Sequence, residues 1–300
     1  MLQNIAALLL FFSLGFLLKN RFGENGIKAL IDFVIYVALP AAVVYNIYYL
    51  NFSFDLLGII ILGWTAVLAS IGLSYIFGRI LKLDKKTLIV FIIMATFGNT
   101  AFMGYPFTEA LLGKEGLGYT ILFDNFASFV PVMTLGILLL SFASSKKRRG
   151  MDFTKILTFP PFIAIFTAIF LKFFNIPDFL LSALDVLGSS VTPLALFAVG
   201  ASIDIKGIFK KSSLITAILA VKMVIIPIFA LLILYILQIT LSTAYKAAII
   251  ELSMPPMVLA SILVIDEGLD KDLAVGSVAL GIIISFVTVP AIFYLSGILF

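Results

Sequence analysis

The sequence predicts an all-α polytopic membrane protein of ten transmembrane helices, built as two inverted five-helix repeats with broken crossover helices 4 and 9. Three observations support this fold class: the apolar composition, ten apolar stretches of membrane-spanning length, and helix-breaking motifs at matching places in the two halves. Hydrophobic residues make up 62% of the 300 residues and charged residues 12%, against roughly 25% charged residues in soluble domains. So few charges cannot cover the surface of a soluble fold, and lipid must face much of the protein.

The apolar stretches approach the length of about 20 residues that a helix needs to cross roughly 30 Å of hydrocarbon. They leave only short connections and no room for a soluble domain. The ten predicted spans are residues 2–18, 28–50, 55–81, 87–112, 117–142, 155–174, 179–203, 212–238, 243–265 and 273–299.

The basic residues predict the orientation of these spans. Loops that follow odd-numbered spans carry 16 Lys and Arg residues and loops that follow even-numbered spans carry 3, while Lys222 lies inside span 8. Because basic loops stay in the cytoplasm, we expect a plasma-membrane protein with both termini outside. The run Lys146–Arg149 is interpreted as a topology-setting loop that contacts lipid headgroups at most, and nucleic acid is not an expected partner.

The two halves show signs of an internal duplication. Five spans are an odd number, so a second copy must be inverted relative to the first, a recurring construction of transporters. The predicted organisation is a first repeat at 1–145, a cytoplasmic basic linker at 146–154 and a second repeat at 155–300. Three pairs of prolines recur 150 to 159 residues apart: Pro40 and Pro193, Pro106 and Pro256, Pro131 and Pro290.

Spans 4 and 9 each contain residues that interrupt a helix. Span 4 holds FGNTAFMGYP at 97–106, and span 9 holds ELSMPPM at 251–257 with two adjacent prolines. Gly weakens a helix and Pro removes an amide donor, and freed backbone groups at membrane depth are tolerated where they line a cavity or face protein. Each break exposes a helix N-terminus, and two such ends aimed at one point suit a carboxylate. The alternative is a pair of proline kinks that only shape packing.

Glu251 is the main candidate for a coupling ion. It precedes the double proline where carbonyls, including that of Met254, become free, and hard oxygen ligands suit Na⁺. Glu251 could equally carry a proton or form a structural pair with Lys222. A carboxylate inside the membrane is a functional candidate by default, and only the structural pair with Lys222 would give Glu251 no part in transport.

Two polar residues of span 5 extend this candidate ion site. Asn125 and Ser128 are three residues apart and share a helix face, so they could complete an oxygen cage with Asn99. The alternative is a hydrogen-bonded seam between helices. Asp124 is left out of the set because its side chain is expected to point elsewhere.

The absence of two residue types excludes several functions. The chain has no Cys and no His, which rules out disulfides, thiolate chemistry and His-based metal sites or catalytic dyads. An enzyme is therefore not expected, and neither is a cofactor beyond Na⁺ or H⁺ as the coupling ion.

At its motifs the chain resembles the auxin efflux carrier family, which includes plant auxin exporters and bacterial malate and malonate permeases. NTAFMGYP at 99–106 is similar to the family's break in span 4, and PLALFAVGASI at 193–203 to its span 7 signature. SMPPMVLASILVIDEG, which begins at Ser253, resembles its proline-broken span 9. The resemblance covers essentially the whole chain in order.

The resemblance implies a scaffold of residues 1–54 and 155–205 and a transport domain of residues 55–145 and 206–300 that moves past it as an elevator. It also implies the fold of the bile acid:sodium symporters. Since the plant members commonly dimerise through the scaffold, a homodimer through helices 2 and 7 is expected. The implied substrate-binding residues are Asn99, Thr100, Gly104, Tyr105, Pro106, Asn125, Pro255, Pro256 and Met257.

The chain departs from the plant exporters in two respects. Its linker is short, and Glu251-Leu252-Ser253-Met254 looks more like the bile acid symporters, whose span 9 glutamate binds sodium. This implies an ion site at Glu251, Met254, Asn125 and Ser128. The expected function is secondary transport of a small mono- or dicarboxylate with sodium coupling. The alternatives are a proton-coupled or uncoupled carrier, or a sodium/proton exchanger, although no adjacent acidic pair is visible at the crossover.

Overall fold

The structure, a computed structural model, describes residues 2–143, 153–203 and 211–300. The predicted linker at 146–154 lies largely outside these residues. Within them the chain is helical and contains no β-strand. The α-helices are α1 (Leu2–Phe33), α2 (Leu39–Tyr49), α3 (Asp55–Ile80), α4 (Lys85–Thr96), α5 (Tyr105–Leu112), α6 (Lys114–Phe123), α7 (Ile137–Ser141), α8 (Phe153–Leu157), α9 (Pro160–Leu171), α10 (Asp178–Ser189), α11 (Val191–Ser202), α12 (Ser212–Ala220), α13 (Ile226–Ile236), α14 (Thr243–Leu252), α15 (Val258–Asp266) and α16 (Lys271–Leu299).

Among the described residues, six helical segments are long and apolar enough to cross a membrane. The first, Gln3–Tyr49, has 47 residues, about 70 Å if straight, more than twice the hydrocarbon thickness. It is interrupted at Gly23, whose φ of 61° is open to glycine and strained for other residues. Predicted spans 4, 6 and 9 consist of shorter helices, so the total of ten spans stays a prediction. The polytopic, all-helical fold class is confirmed.

The surface of these helices is apolar. Leu17, Phe179 and Val287 are each more than 70% exposed, and many other large apolar side chains also point outward. In water such a surface would aggregate, whereas in a bilayer lipid tails cover it. The protein is therefore an integral membrane protein.

Short π-helical stretches widen several helices, and four of them in the described residues end two residues before a proline. A proline cannot donate to the carbonyl four residues earlier, and its ring presses on that carbonyl. A wider turn relieves this conflict, and such π-bulges are frequent at functional sites. The four stretches are Val34–Ala38 before Pro40, Thr100–Gly104 before Pro106, Asp124–Phe129 before Pro131 and Val221–Ile225 before Pro227.

The helices of the predicted scaffold pack on one another. α1 lies along α11, and α2 contacts α9 and α10. A Cβ on Gly15 would lie 2.0 Å from the carbonyl oxygen of Phe197, so the α1 and α11 backbones touch where no side chain intervenes. In the predicted transport domain, α14 packs against α3 and α6, and α12 against α16. The division into a fixed and a moving body stays a prediction.

Candidate functional site

The two helix breaks predicted from the sequence meet and pair with each other. α4 ends at Thr96 and α14 ends at Leu252. The short segments that follow these two helices cross each other, and the chain is extended where they cross. The backbone amide of Asn99 donates to the Pro255 carbonyl at 2.8 Å, and the backbone amide of Met257 donates to the Phe97 carbonyl at 2.9 Å. Together they form an isolated antiparallel bridge between Gly98 and Pro256. Backbone groups freed by one break thus satisfy those freed by the other.

The first break lies earlier in the chain than its proline suggested. The helix restarts at Thr100 as a π-helical stretch and continues into α5, whose first turn contains Pro106. Proline is tolerated there because the wider π-helical turn before it relieves the clash of its ring with the preceding carbonyls. Gly104 and Pro106 are therefore helical, and the N-terminus of this helix lies at Thr100, whose backbone amide donates to the Gly98 carbonyl at 3.0 Å. In the second break, Pro255 and Pro256 are extended and α15 begins at Val258.

A cavity of about 410 Å³ lies against both breaks. Asn99, Ala101 and Phe102 line it from the first break, and Met257 and Val258 from the second. Its other walls come mainly from α1, α11, α15 and α16. Asn99 is 3% exposed, and its Nδ2 has no hydrogen-bond partner. A buried amide donor without a partner at the wall of a cavity is a candidate ligand contact.

Asp124 lies at the break, so the expectation that it points elsewhere is wrong. Thr100 Oγ1 donates to its Oδ1 at 2.5 Å, and the Tyr105 hydroxyl donates to its Oδ2 at 3.2 Å. Thr100 is also 2.9 Å from Ser128 Oγ, which lies 3.4 Å from the carbonyl oxygen of Gly98. The hydroxyls of Thr100 and Tyr105 in span 4 are the sequence signal that could have pointed to this cluster.

Asn125 behaves differently from its neighbours. It is completely buried, and its Nδ2 donates to the carbonyl of Ile121 in its own helix at 2.9 Å. It is not among the residues that line the large cavity. The predicted contact between Asn125 and a substrate, and the predicted oxygen cage with Asn99 and Ser128, stay predictions.

Glu251 is buried with both carboxylate oxygens free of hydrogen-bond partners. Gly104 makes room for it, because a Cβ at that position would lie 2.1 Å from Oε1 and 2.3 Å from Oε2. Met254, two residues before the bridge, is also fully buried. An unpartnered buried carboxylate is costly unless a proton or a cation joins it, so the residues here fit the coupling ion that the sequence suggested.

Lys222 contacts both breaks and does not pair directly with Glu251. Its Nζ donates to the Leu252 carbonyl at the end of α14 at 2.7 Å. Its side chain packs on Gly98, where a Cβ would lie 3.0 Å from Nζ. A lysine at a helix C-terminus stabilises the unpaired carbonyls and the negative end of the dipole. Without a direct ion pair, the structural alternative, which pairs Glu251 with Lys222 across the breaks, stays a prediction.

A much smaller cavity, about 20 Å³, lies on the other side of the first break and is lined by Tyr105 and Glu109. Lys114 forms an ion pair with Asp185 there at 2.5 Å, and Thr192 Oγ1 donates to Glu109 Oε2 at 2.6 Å. These contacts join α5 and the start of α6, from the predicted transport domain, to α10 and α11 of the predicted scaffold. Polar contacts between these helices therefore close this side.

Comparison with known proteins agrees with this architecture. Residues 1–293 match the family model described as membrane transport protein. The chain is 26% identical over 293 residues, 96% of each chain, to an uncharacterized transporter of Methanothermobacter thermautotrophicus. It is 30% identical over 195 residues, 62% of each chain, to an uncharacterized transporter of Methanocaldococcus jannaschii. The chain is a membrane transporter and not an enzyme, and it belongs to the membrane transport protein family, the auxin efflux carrier family that its broken spans resemble.

Proposed function

We propose that this chain is a secondary transporter that carries a small organic anion across the plasma membrane by elevator-type alternating access, with a mono- or dicarboxylate bound at the crossing of the two breaks. The observation that carries the proposal is the unpartnered Nδ2 of Asn99 at the wall of the large cavity. Beside it stand the N-termini of two helices, each equivalent to roughly half a positive charge. A carboxylate bound there accepts a hydrogen bond from the Asn99 side chain and is stabilised by the positive ends of the two helices, without a buried arginine.

The walls of the cavity support the elevator mechanism. Asn99 and Met257 come from the predicted transport domain, whereas Leu39, Ala198 and Val199 come from the predicted scaffold. The bridge between Gly98 and Pro256 ties the two breaks together, so they move as one unit. An anion bound to them is carried past the scaffold with its ligands unchanged, as expected for a midplane site between inverted repeats.

The side on which the cavity lies supports an inward-facing state. Ser202 and Ile203 at the end of α11 and Val275 near the start of α16 line the cavity. The loops next to these residues carry Lys211 and Lys271 and are cytoplasmic under the positive-inside rule. The opposite side holds only the small cavity closed by Lys114 and Asp185.

Substitution of Asn99 tests the anion site. In Asn99→Ala the carboxylate loses one hydrogen bond to a charged group, about 1.5–3 kcal/mol, so we expect at least a tenfold loss of affinity for a carboxylate that stabilises the wild type. The measurement is thermal unfolding against a panel of carboxylates, followed by uptake of the radiolabelled hit into proteoliposomes. The matched control is Asn46→Ala, because the Asn46 amide donates only to Ala42 in its own helix. Unchanged binding and uptake in Asn99→Ala would contradict the proposed site.

Sodium coupling at Glu251 is proposed because its two oxygens have no hydrogen-bond partner. Sodium that binds only the folded state raises stability by about 2.7 kcal/mol at a hundredfold excess over Kd. We therefore expect sodium, compared with potassium and choline, to raise the unfolding temperature of the wild type and of the control Glu115→Gln, and to leave Glu251→Gln unchanged. No sodium effect in the wild type would move the chain to proton-coupled or uncoupled transport.

A sodium/proton exchanger is the second candidate function. It is favoured by one observation: Asp124 and Glu251 are both buried beside the stretch that runs from Thr100 to Tyr105. The sodium titration separates the two functions when it is repeated in proteoliposomes. An exchanger moves protons on a sodium gradient with no carboxylate present, whereas a symporter requires the carboxylate.

A further inference from the structure

We propose that the carried anion has one carboxylate on an apolar body, and that dicarboxylates are excluded. This inference rests on the proposed function and narrows its substrate class. It follows from what lines the 410 Å³ cavity and from what its polar side chains already bind.

The described residues offer this cavity a single free polar side chain. Four polar residues among them line it: Asn99, Asp124, Ser202 and Ser261. The Ser202 hydroxyl donates to Ala198 and the Ser261 hydroxyl to Val258, each at 2.7 Å within its own segment. Asp124 accepts the hydroxyls of Thr100 and Tyr105. Only the Asn99 amide is left among the lining side chains to bind a ligand.

Among the residues that the structure describes, a second carboxylate would have no charge partner in this cavity. No Lys or Arg within 2–143, 153–203 and 211–300 lines it. Lys222 lies behind the first break with its Nζ committed to the Leu252 carbonyl. The two helix N-termini serve the carboxylate at Asn99, and Asp124, also at the wall, is acidic and offers no positive charge. A buried charge without a partner is strongly unfavourable, so this arrangement selects against a dianion.

The remaining wall suits an apolar body. It consists of aliphatic side chains from both groups of helices together with the rings of Phe102, Phe129 and Phe159. Pockets of about 300–1,000 Å³ with mainly apolar walls and a few polar groups hold drug-sized ligands. Malonate or malate would leave most of this wall without contact. Each methylene that a ligand buries here strengthens binding by about fourfold.

The test compares ligands of equal carbon number. The probes are butyrate and hexanoate for chain length and adipate as the six-carbon dicarboxylate, titrated calorimetrically into the protein in lipid nanodiscs. Partition into lipid is measured with protein-free nanodiscs and is subtracted. We expect hexanoate to bind about 15-fold more tightly than butyrate, from two added methylenes, and roughly a hundredfold more tightly than adipate.

A gain-of-function variant tests the charge argument directly. Ile262 lines the cavity, so Ile262→Lys adds a cation to its wall. We expect the ratio of the hexanoate affinity to the adipate affinity to fall at least tenfold in Ile262→Lys. In the control Ile262→Gln this ratio should stay unchanged.

The outcomes separate the two levels of the proposal. Adipate binding as tightly as hexanoate in the wild type, or an equal preference in Ile262→Lys and Ile262→Gln, overturns the substrate class and leaves the anion site intact. Binding of all three probes that is the same in the wild type and Asn99→Ala overturns the anion site itself, and the substrate class with it.

Discussion

Two glycines determine what the crossing of the breaks can hold. Gly98 leaves space for the Lys222 side chain, and Gly104 leaves space for the Glu251 carboxylate. The sequence marked both glycines as helix breakers, and for Gly104 this interpretation was incomplete, because the residue is helical. Its role is to let a carboxylate from another segment approach the backbone. No pattern within span 4 reveals this role, since the partner lies almost 150 residues away.

Gly104→Ala tests this role. Its Cβ would lie within 2.3 Å of both Glu251 oxygens, so we expect a loss of about 1–3 kcal/mol of stability from overpacking and loss of any sodium effect. In the background of Glu251→Ala the same substitution should cost little, because the clashing atoms are gone. The measurement is the unfolding temperature of the two single variants and the double variant.

Gly72→Ala is the matched control, because nothing lies within 4 Å of a Cβ at that position in α3. Alanine has the higher helix propensity by about 1 kcal/mol, so this control should be neutral or stabilising. Equal destabilisation by Gly104→Ala with and without Glu251 would show that the close approach does not matter.

At the scale of the helices, the prolines do more than mark the internal repeat, because several of them coincide with changes in helix type. Pro106, Pro131 and Pro227 each follow a π-helical stretch by two residues, and these stretches carry Thr100, Asp124 and Lys222 respectively. The wider turn accommodates the proline ring and changes which side chains face the crossing. Pro290, the repeat counterpart of Pro131, lies inside the continuous helix α16. The two halves thus differ in detail where the sequence pattern is the same.

These elements show how far the sequence could predict the site. Gly, Asn and Pro in spans 4 and 9 act locally on the backbone, so the two breaks were predictable, and the breaks are where polar groups gather. The direction of Asp124 was not predictable, because its partners Thr100 and Tyr105 belong to span 4 and their position depends on how spans 4 and 5 pack. The contact of Lys222 with Leu252 was not predicted either, since it depends on how α14 and the π-helical stretch after α12 are placed in space.

At the scale of the whole molecule, the two cavities differ strongly in size, about 410 Å³ against about 20 Å³. The smaller one is closed by contacts between the two groups of helices, Lys114 with Asp185 and Thr192 with Glu109. The proposed alternating access requires that these contacts break when the predicted transport domain moves. The ion pair is partly exposed, at 51% and 31% of its side chains, so its contribution is about 1 kcal/mol or less. A contact this weak can bias the two states without locking either.

Asp185→Ala should therefore shift the molecule towards the state open on the side of the small cavity. The chain has no cysteine, so one introduced cysteine reports accessibility, read as the rate of labelling by a maleimide. We expect Tyr45→Cys, at the small cavity, to label up to about fivefold faster in the Asp185→Ala background. Ile262→Cys, at the large cavity, should label more slowly, because the same shift closes that side.

Faster labelling of Tyr45→Cys together with slower labelling of Ile262→Cys distinguishes a movement of the whole molecule from local loosening around Asp185. The charge swap Lys114→Asp with Asp185→Lys restores the pair and should return both rates towards the wild type. Asp178→Ala, at the start of the same helix α10 and without the Lys114 contact, is the control. If Tyr45→Cys accelerates while Ile262→Cys is unchanged, the ion pair seals only its own surroundings. Equal effects of Asp178→Ala and Asp185→Ala would show that the ion pair does not hold this side closed.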